Sequence, residues 1–258
     1  MKNLHPKYFV RTYEYVQWLR NTIIYNIEDE DLLYFLQIDE PLELTDSIIE
    51  TFLKPQKHSY LHEFIDNALY ISFEYESRKF ANAKEWNKLT SSFLNIEIDE
   101  IKFNEYTEEG EEYKEMLEGK IKSDILPLIT EEVFSILFCD KEFLFHFNLF
   151  ISSKLKKIEP KSFPNLFNHK GHVHRVQYWP KWLVKGVFYR DRGRCSYCFN
   201  DISGLLNVEN KLNIDHIIPL ANGGTNDTSN CQILCERCNK EKKEKIITLK
   251  KYKYFKTF

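Results

Sequence analysis

Apolar residues recur at spacings of three and four through much of the first two-thirds of the chain. Phe9, Tyr13, Val16, Leu19 and Ile23 form one such stripe, Leu61, Phe64, Ile65, Ala68 and Leu69 a second, and Phe143, Phe147, Phe150 and Ile151 a third. An α-helix with one face turned inward has this period, so the pattern predicts helices at all three places. Glycine stands only at Gly110 and Gly119 before residue 159, which suits helices better than hairpins. From Asp99 to Glu118 the chain is acidic with little periodicity, as a loop or a solvated helix face would be.

The pattern changes at Glu159-Pro160-Lys161-Ser162-Phe163-Pro164-Asn165, where two prolines bias the residues before them away from helix. Glycines and basic residues then become common. Short apolar runs over Leu212–Leu220 and Cys231–Leu234, with Asn222-Gly223-Gly224 between them, predict strands joined through a turn. Glu236 to Ile247, dense in Lys and Glu, predicts a helix. The expected architecture is α+β, with a mostly helical domain over 1–158, a linker over 159–169 and a second domain over 170–258.

Charge sharpens that division. Residues 1–153 hold 15 basic and 30 acidic side chains, a net of −15, and residues 154–258 hold 21 and 9, a net of +12. Such asymmetry points to two units with different partners, the basic one suited to a polyanion. The acidic region is expected either to dock a protein partner or to restrain the basic one. With 43% hydrophobic residues the chain can bury a core. No run approaches the roughly 18 uncharged apolar residues of a membrane span, since Asp140, Lys141 and Glu142 break the most apolar stretch. The early charges Lys2, Lys7 and Arg11 do not fit a signal peptide. The reading is a cytoplasmic protein with no membrane partner.

Five of the six cysteines fall within residues 195–238. Cys195-Ser196-Tyr197-Cys198 and Cys235-Glu236-Arg237-Cys238 are two CxxC knuckles with 36 residues between them. Four thiolates in two close pairs suit a tetrahedral, closed, structural zinc site. Cys139 and Cys231 lack such spacing and are expected in the core. Between the knuckles stand Asp215-His216-Ile217-Ile218-Pro219-Leu220, Asn222-Gly223-Gly224 and Asn230. After the second come Asn239 and Lys240.

With Tyr189-Arg190-Asp191 ahead of the first knuckle, this ordered set resembles the HNH endonuclease family in its four-cysteine, McrA-like form. The resemblance covers about residues 185–247, and nothing before about residue 170 resembles a family we can name. It implies a β-hairpin followed by a helix, the zinc-bound ββα-metal fold. His216 would be the general base. Asp215 and Asn239 would hold a divalent ion, Mg²⁺ or Mn²⁺ given their hard oxygen donors. Asn230 would brace the loop that orients the base. Asn239 stands where the family name has its last His, a substitution that makes the metal preference less definite. Phosphodiester hydrolysis would leave 5′-phosphate and 3′-hydroxyl ends.

Arg190, Lys240, Lys242, Lys243 and Lys245 are the expected nucleic-acid contacts, as basic residues around such a centre would be. Lys250, Lys251, Lys253 and Lys256, interleaved with Tyr252, Tyr254, Phe255 and Phe258, extend the same composition into the tail. The expected substrate is DNA, with RNA open, and the expected setting is bacterial restriction or phage defence. Two alternatives remain: a zinc module that binds nucleic acid without cutting, and a subunit whose acidic domain holds a partner.

Overall fold

A computed structural model describes residues 6–25, 42–79, 90, 91, 93, 108–204 and 212–247. In chain order its main elements are α1 (Pro6–Tyr25), α2 (Asp46–Leu53), α3 (Tyr60–Lys79), α4 (Glu108–Lys120), α5 (Leu126–Leu137), α6 (Lys141–Leu155), α7 (Lys181–Arg190), β1 (Leu212–His216), β2 (Cys231–Cys235) and α8 (Glu236–Lys242). The fold is α+β, mostly helical with a two-stranded sheet. No helix among the described residues is long and apolar enough to cross a membrane.

Two compact units emerge. The first gathers Met1–Asp39 and Leu61–Ile136, the second Glu40–Tyr60 and Leu137–Phe258. A boundary at 158 therefore differs from the observed division: residues 40–60 and 137–158 fold with the C-terminal unit. The reason lies in α6, which buries Phe143, Leu144, Phe145, Phe147, Ile151 and Leu155. A helix apolar on nearly every side must be enclosed, and Asn148 on it donates to the Ser229 carbonyl at 3.1 Å. Nor is 159–169 a bare linker. Pro160–Ser162 is a single 3₁₀ turn, Leu166 is buried, and Phe167 bridges Val173.

In the first unit, the buried stripe of α1 runs through Thr12, Tyr15, Leu19, Thr22 and Ile23, while Tyr13 is 60% exposed. The helix is where its period predicts, but rotated from the stripe that includes Tyr13. Threonine methyls fill the core face, and Thr12 Oγ1 donates to the Glu132 carboxylate. On α3, Leu61, Ile65, Ala68 and Leu69 are buried as their period requires. Glu108–Lys120 settles part of the acidic stretch as helix, and residues 94–107 lie outside the described residues.

In the second unit, β1 and β2 pair antiparallel with Leu212 opposite Cys235 and His216 opposite Cys231. β2 is buried at every position and β1 is mostly half-buried. The first strand stops at His216, short of the Leu220 that its apolar run suggests, because Pro219 leads into a 3₁₀ turn over Leu220–Asn222. The last helix ends at Lys242, short of Ile247, where Lys243 takes a positive φ of 48°. Asn230 holds the loop between the strands. Its side chain accepts from the Ile218 N–H at 2.8 Å and donates to the carbonyls of Ile218 and Thr225.

Gly223 and Gly224 turn this loop. Gly223 sits at φ +82°, and a Cβ at Gly224 would lie 1.9 Å from the Ile218 carbonyl oxygen. Gly224→Ala is therefore expected to cost about 3 kcal/mol or more, because backbone must give way. A denaturant midpoint within error of the wild type would contradict this packing.

Candidate active site

Cys195 follows α7 through a tight turn in which Arg192 and Gly193 have positive φ. The Ser196 N–H donates to the Ile233 carbonyl at 2.9 Å, joining the first knuckle to β2. Cys235 ends that strand and Cys238 lies in the first turn of α8. The sulfurs of Cys195, Cys198, Cys235 and Cys238 all lie within 4.8 Å of one another, and Cys198 Sγ is 3.8 Å from Cys235 Sγ. A tetrahedral zinc with Zn–S of about 2.3 Å requires sulfurs about 3.8 Å apart. No disulfide competes, since all four are free. Burial, and then hydrogen bonding to Cys198 and Cys235, raise the pKa of Cys238. A divalent cation would offset that cost by stabilising the Cys238 thiolate. The four residues fit zinc. Of the remaining cysteines, Cys231 is buried as expected, while Cys139 is exposed on the loop before α6.

His216, the last residue of β1, is 3% exposed. Its Nε2 lies 3.1 Å from Asn226 Oδ1, and the Trp179 ring centroid is 5.3 Å from its own. Burial lowers its pKa to about 4, with Arg175 and Lys242 adding to the shift and Asn226 and Asp215 opposing it. The imidazole is thus neutral at neutral pH, the form that accepts a proton. Asp215 precedes it on the strand. Asn239 is half-buried on α8, which packs against both strands.

Two sequence assignments change. Lys242 is not a surface contact for phosphate. It is 2% exposed, and its Nζ sits 2.9 Å from Asp215 Oδ2 and 2.8 Å from the His216 carbonyl oxygen. Gln232 Nε2 also donates to Asp215 Oδ2, at 3.1 Å. This leaves Oδ1 without a hydrogen-bond partner among the described residues. Oδ1 is thus the Asp215 oxygen open to a hard cation, beside an ammonium that already neutralises the carboxylate. The spacing signal for Lys242 existed, since it stands one turn past Asn239, but a run of lysines hid it.

Arg190 is also internal, with a side chain 2% exposed. It donates to Asp191 at 2.9 and 3.2 Å and to the Cys231 carbonyl at 2.7 Å, and its guanidinium lies over Phe138. It braces α7 against β2 and is not placed to reach nucleic acid. Lys240, Lys243 and Lys245 are exposed, with Lys240 paired to Glu236 at 2.6 Å. The aromatic and basic tail beyond residue 247 lies outside the described residues.

Asp191 collects Arg190, Lys141 at 3.3 Å, the Ser196 hydroxyl and the Ile233 N–H. Burial pushes its pKa up, but Arg190 and Lys141 outweigh that and the net shift is downward. A depressed folded-state pKa gives stability that is present above the unfolded value of about 4 and is lost as pH falls through the lower folded value. Asp191→Asn leaves the buried Arg190 and the half-buried Lys141 unbalanced, an expected loss of about 3–5 kcal/mol at pH 7. The gap between wild type and variant should close as pH falls below about 4. Urea melts of both proteins across pH 3–7 measure it, and a gap independent of pH would contradict the ion cluster.

Missed altogether by the sequence reading were Asn226 and Trp179 as neighbours of His216, and the segment 52–60. Asn226 donates through Nδ2 to the carbonyls of Phe52, Leu53 and His174, the Tyr60 N–H donates to Asp227, and Thr228 donates to the Gln56 carbonyl. These pairs are separated by 52 to 174 residues, and no local pattern announces them.

Known proteins resemble the segment that carries these residues. The family model for HNH endonuclease matches residues 195–245. A 98-residue stretch is 33% identical to the type IV methyl-directed restriction enzyme EcoKMcrA of Escherichia coli (strain K12), covering 36% of this chain and 35% of that enzyme. The match thus spans about a third of the relative's length. No solved structure gives a significant match. Two antiparallel strands, a following helix and four gathered cysteines inside the matched segment identify the C-terminal part of this chain as an HNH domain of the four-cysteine form.

Proposed function

We propose that the chain is a metal-dependent endonuclease that hydrolyses phosphodiester bonds in DNA and serves restriction or phage defence. One observation carries the reading: a neutral, hydrogen-bonded His216 sits directly after Asp215, within the segment that matches the HNH family. His216 takes the proton of the attacking water, which requires an unprotonated imidazole. Asp215 and Asn239 hold the divalent ion. Mg²⁺ or Mn²⁺ there would supply charge stabilisation for the phosphate and the leaving 3′ oxygen. Asn230 keeps the loop after His216 in place, so that the base stays at the end of its strand. Lys240, Lys243 and Lys245 are exposed cations on or beside α8 and contact the phosphate backbone. Restriction as the setting rests on the name of the partial relative. The first unit is then the part that recognises a target, docks a partner or restrains the nuclease, in a cytoplasmic enzyme.

The test is a digestion panel with the full chain: plasmid, linear and single-stranded DNA, methylated DNA and RNA, each with Mg²⁺, Mn²⁺ or EDTA. Metal-dependent cutting of DNA is expected, and binding without cutting under every condition would contradict it. A second reading, a zinc module that binds nucleic acid without catalysis, draws on Lys242, whose ammonium already neutralises Asp215. Lys242→Met separates the two. If the lysine substitutes for the ion, the variant gains Mn²⁺ binding without gaining cleavage.

A further inference from the structure

Nothing in the sequence motif distinguishes the two nitrogens of His216, and a base needs its lone pair on the correct one. Asn226 decides the matter. It is fully buried, and its Nδ2 lies 3.1 Å from the Phe52 carbonyl oxygen, 3.0 Å from that of Leu53 and 2.7 Å from that of His174. An amide turned the other way would aim its oxygen at three carbonyl oxygens, so its orientation is fixed. Its Oδ1 therefore faces His216 Nε2 and can only accept.

We propose that Asn226 is a positioning residue for His216. It holds the proton on Nε2 and leaves Nδ1 as the basic nitrogen, and it is itself held by the C-terminal end of α2. Phe52 and Leu53 stand in the last turn of that helix, whose final carbonyls have no intrahelical donor. Asn226 satisfies both carbonyls with one NH₂ group, and its backbone N–H bonds Phe52 as well, at 3.0 Å. Nδ1 bonds to no described residue. A segment some 160 residues before His216 in sequence thus sets the state of that histidine. The catalytic consequence rests on the reading of His216 as a base, but the tautomer does not.

The experiment is a long-range ¹H–¹⁵N spectrum of the full, zinc-loaded chain with ¹⁵N-labelled histidine at neutral pH, the His216 signals being assigned with His216→Gln. The expected result is a pyrrole-like Nε2 and a pyridine-like Nδ1. Asn226→Leu should mix the two tautomers and lower kcat by about 10- to 100-fold with KM nearly unchanged, as for a base that is present but misaligned. A pyrrole-like Nδ1 in the wild type overturns the proposal, and this result needs no variant to fold. A folded Asn226→Leu with wild-type tautomer and kcat also overturns it. A wild type that shows the Nε2–H form and cuts nothing overturns the nuclease reading while upholding the tautomer assignment.

Discussion

Replacing His216 with alanine is expected to slow DNA cleavage by about 10²- to 10⁴-fold, the usual worth of a general base. The loss should appear in kcat. DNA affinity should hold, because the proposed backbone contacts are the exposed lysines at 240, 243 and 245 and not the buried histidine. The four cysteines should also hold their metal, since none depends on His216. Some stability will be lost, because Asn226 Oδ1 loses its donor and an unpaired buried acceptor costs about 1–3 kcal/mol. His216→Gln restores a donor near that position, so its stability should recover while its activity does not. Cleavage, metal content and thermal melting of both variants separate chemistry from folding. Cleavage at the wild-type rate in either would remove His216 from the mechanism.

Cys235→Ser carries the largest expected effect on structure. Structural zinc contributes about 10–16 kcal/mol in small finger peptides, comparable with the 5–15 kcal/mol net stability of a whole domain. The four-cysteine site joins the turn after α7, the end of β2 and the start of α8. The core around it is small: Leu183, Val187, Ile202, Ile233 and Leu234 beside the cysteines themselves. Without the metal, that region should unfold and lose cleavage, while the first unit keeps its helices. Zinc stoichiometry, limited proteolysis and circular dichroism read the outcome. A zinc-free variant that is folded and active would show the site to be dispensable.

The zinc knuckles and the loop-bracing Asn230 were legible because each is a short-range pattern with its own chemistry. Helix positions were legible where the apolar period is strong, as in α3 and α6. The period misjudged the rotation of α1, since it counts Tyr13 as apolar and ignores the threonines that fill the core face. Domain membership was not legible. Local composition places α6 with the acidic region, but its burial on nearly every side belongs to the second unit. Charge likewise misplaced Arg190 and Lys242, because a buried cation and a solvated one look alike until Asp191 and Asp215 are seen beside them. A fragment starting near residue 166 would lack Phe52, Leu53, Asn148 and Ser152, all bonded to the loop between the strands. The second unit is therefore best studied in the full chain.

The most direct test of the nuclease account is the end chemistry of plasmid DNA incubated with the full, zinc-loaded protein and Mg²⁺ or Mn²⁺, with EDTA and His216→Ala as controls. The expected products carry 5′-phosphate and 3′-hydroxyl ends that ligase can rejoin, and they form only with metal and the wild-type histidine. Intact plasmid under every metal condition, or equal cutting by His216→Ala, would contradict a catalytic centre at Asp215, His216 and Asn239.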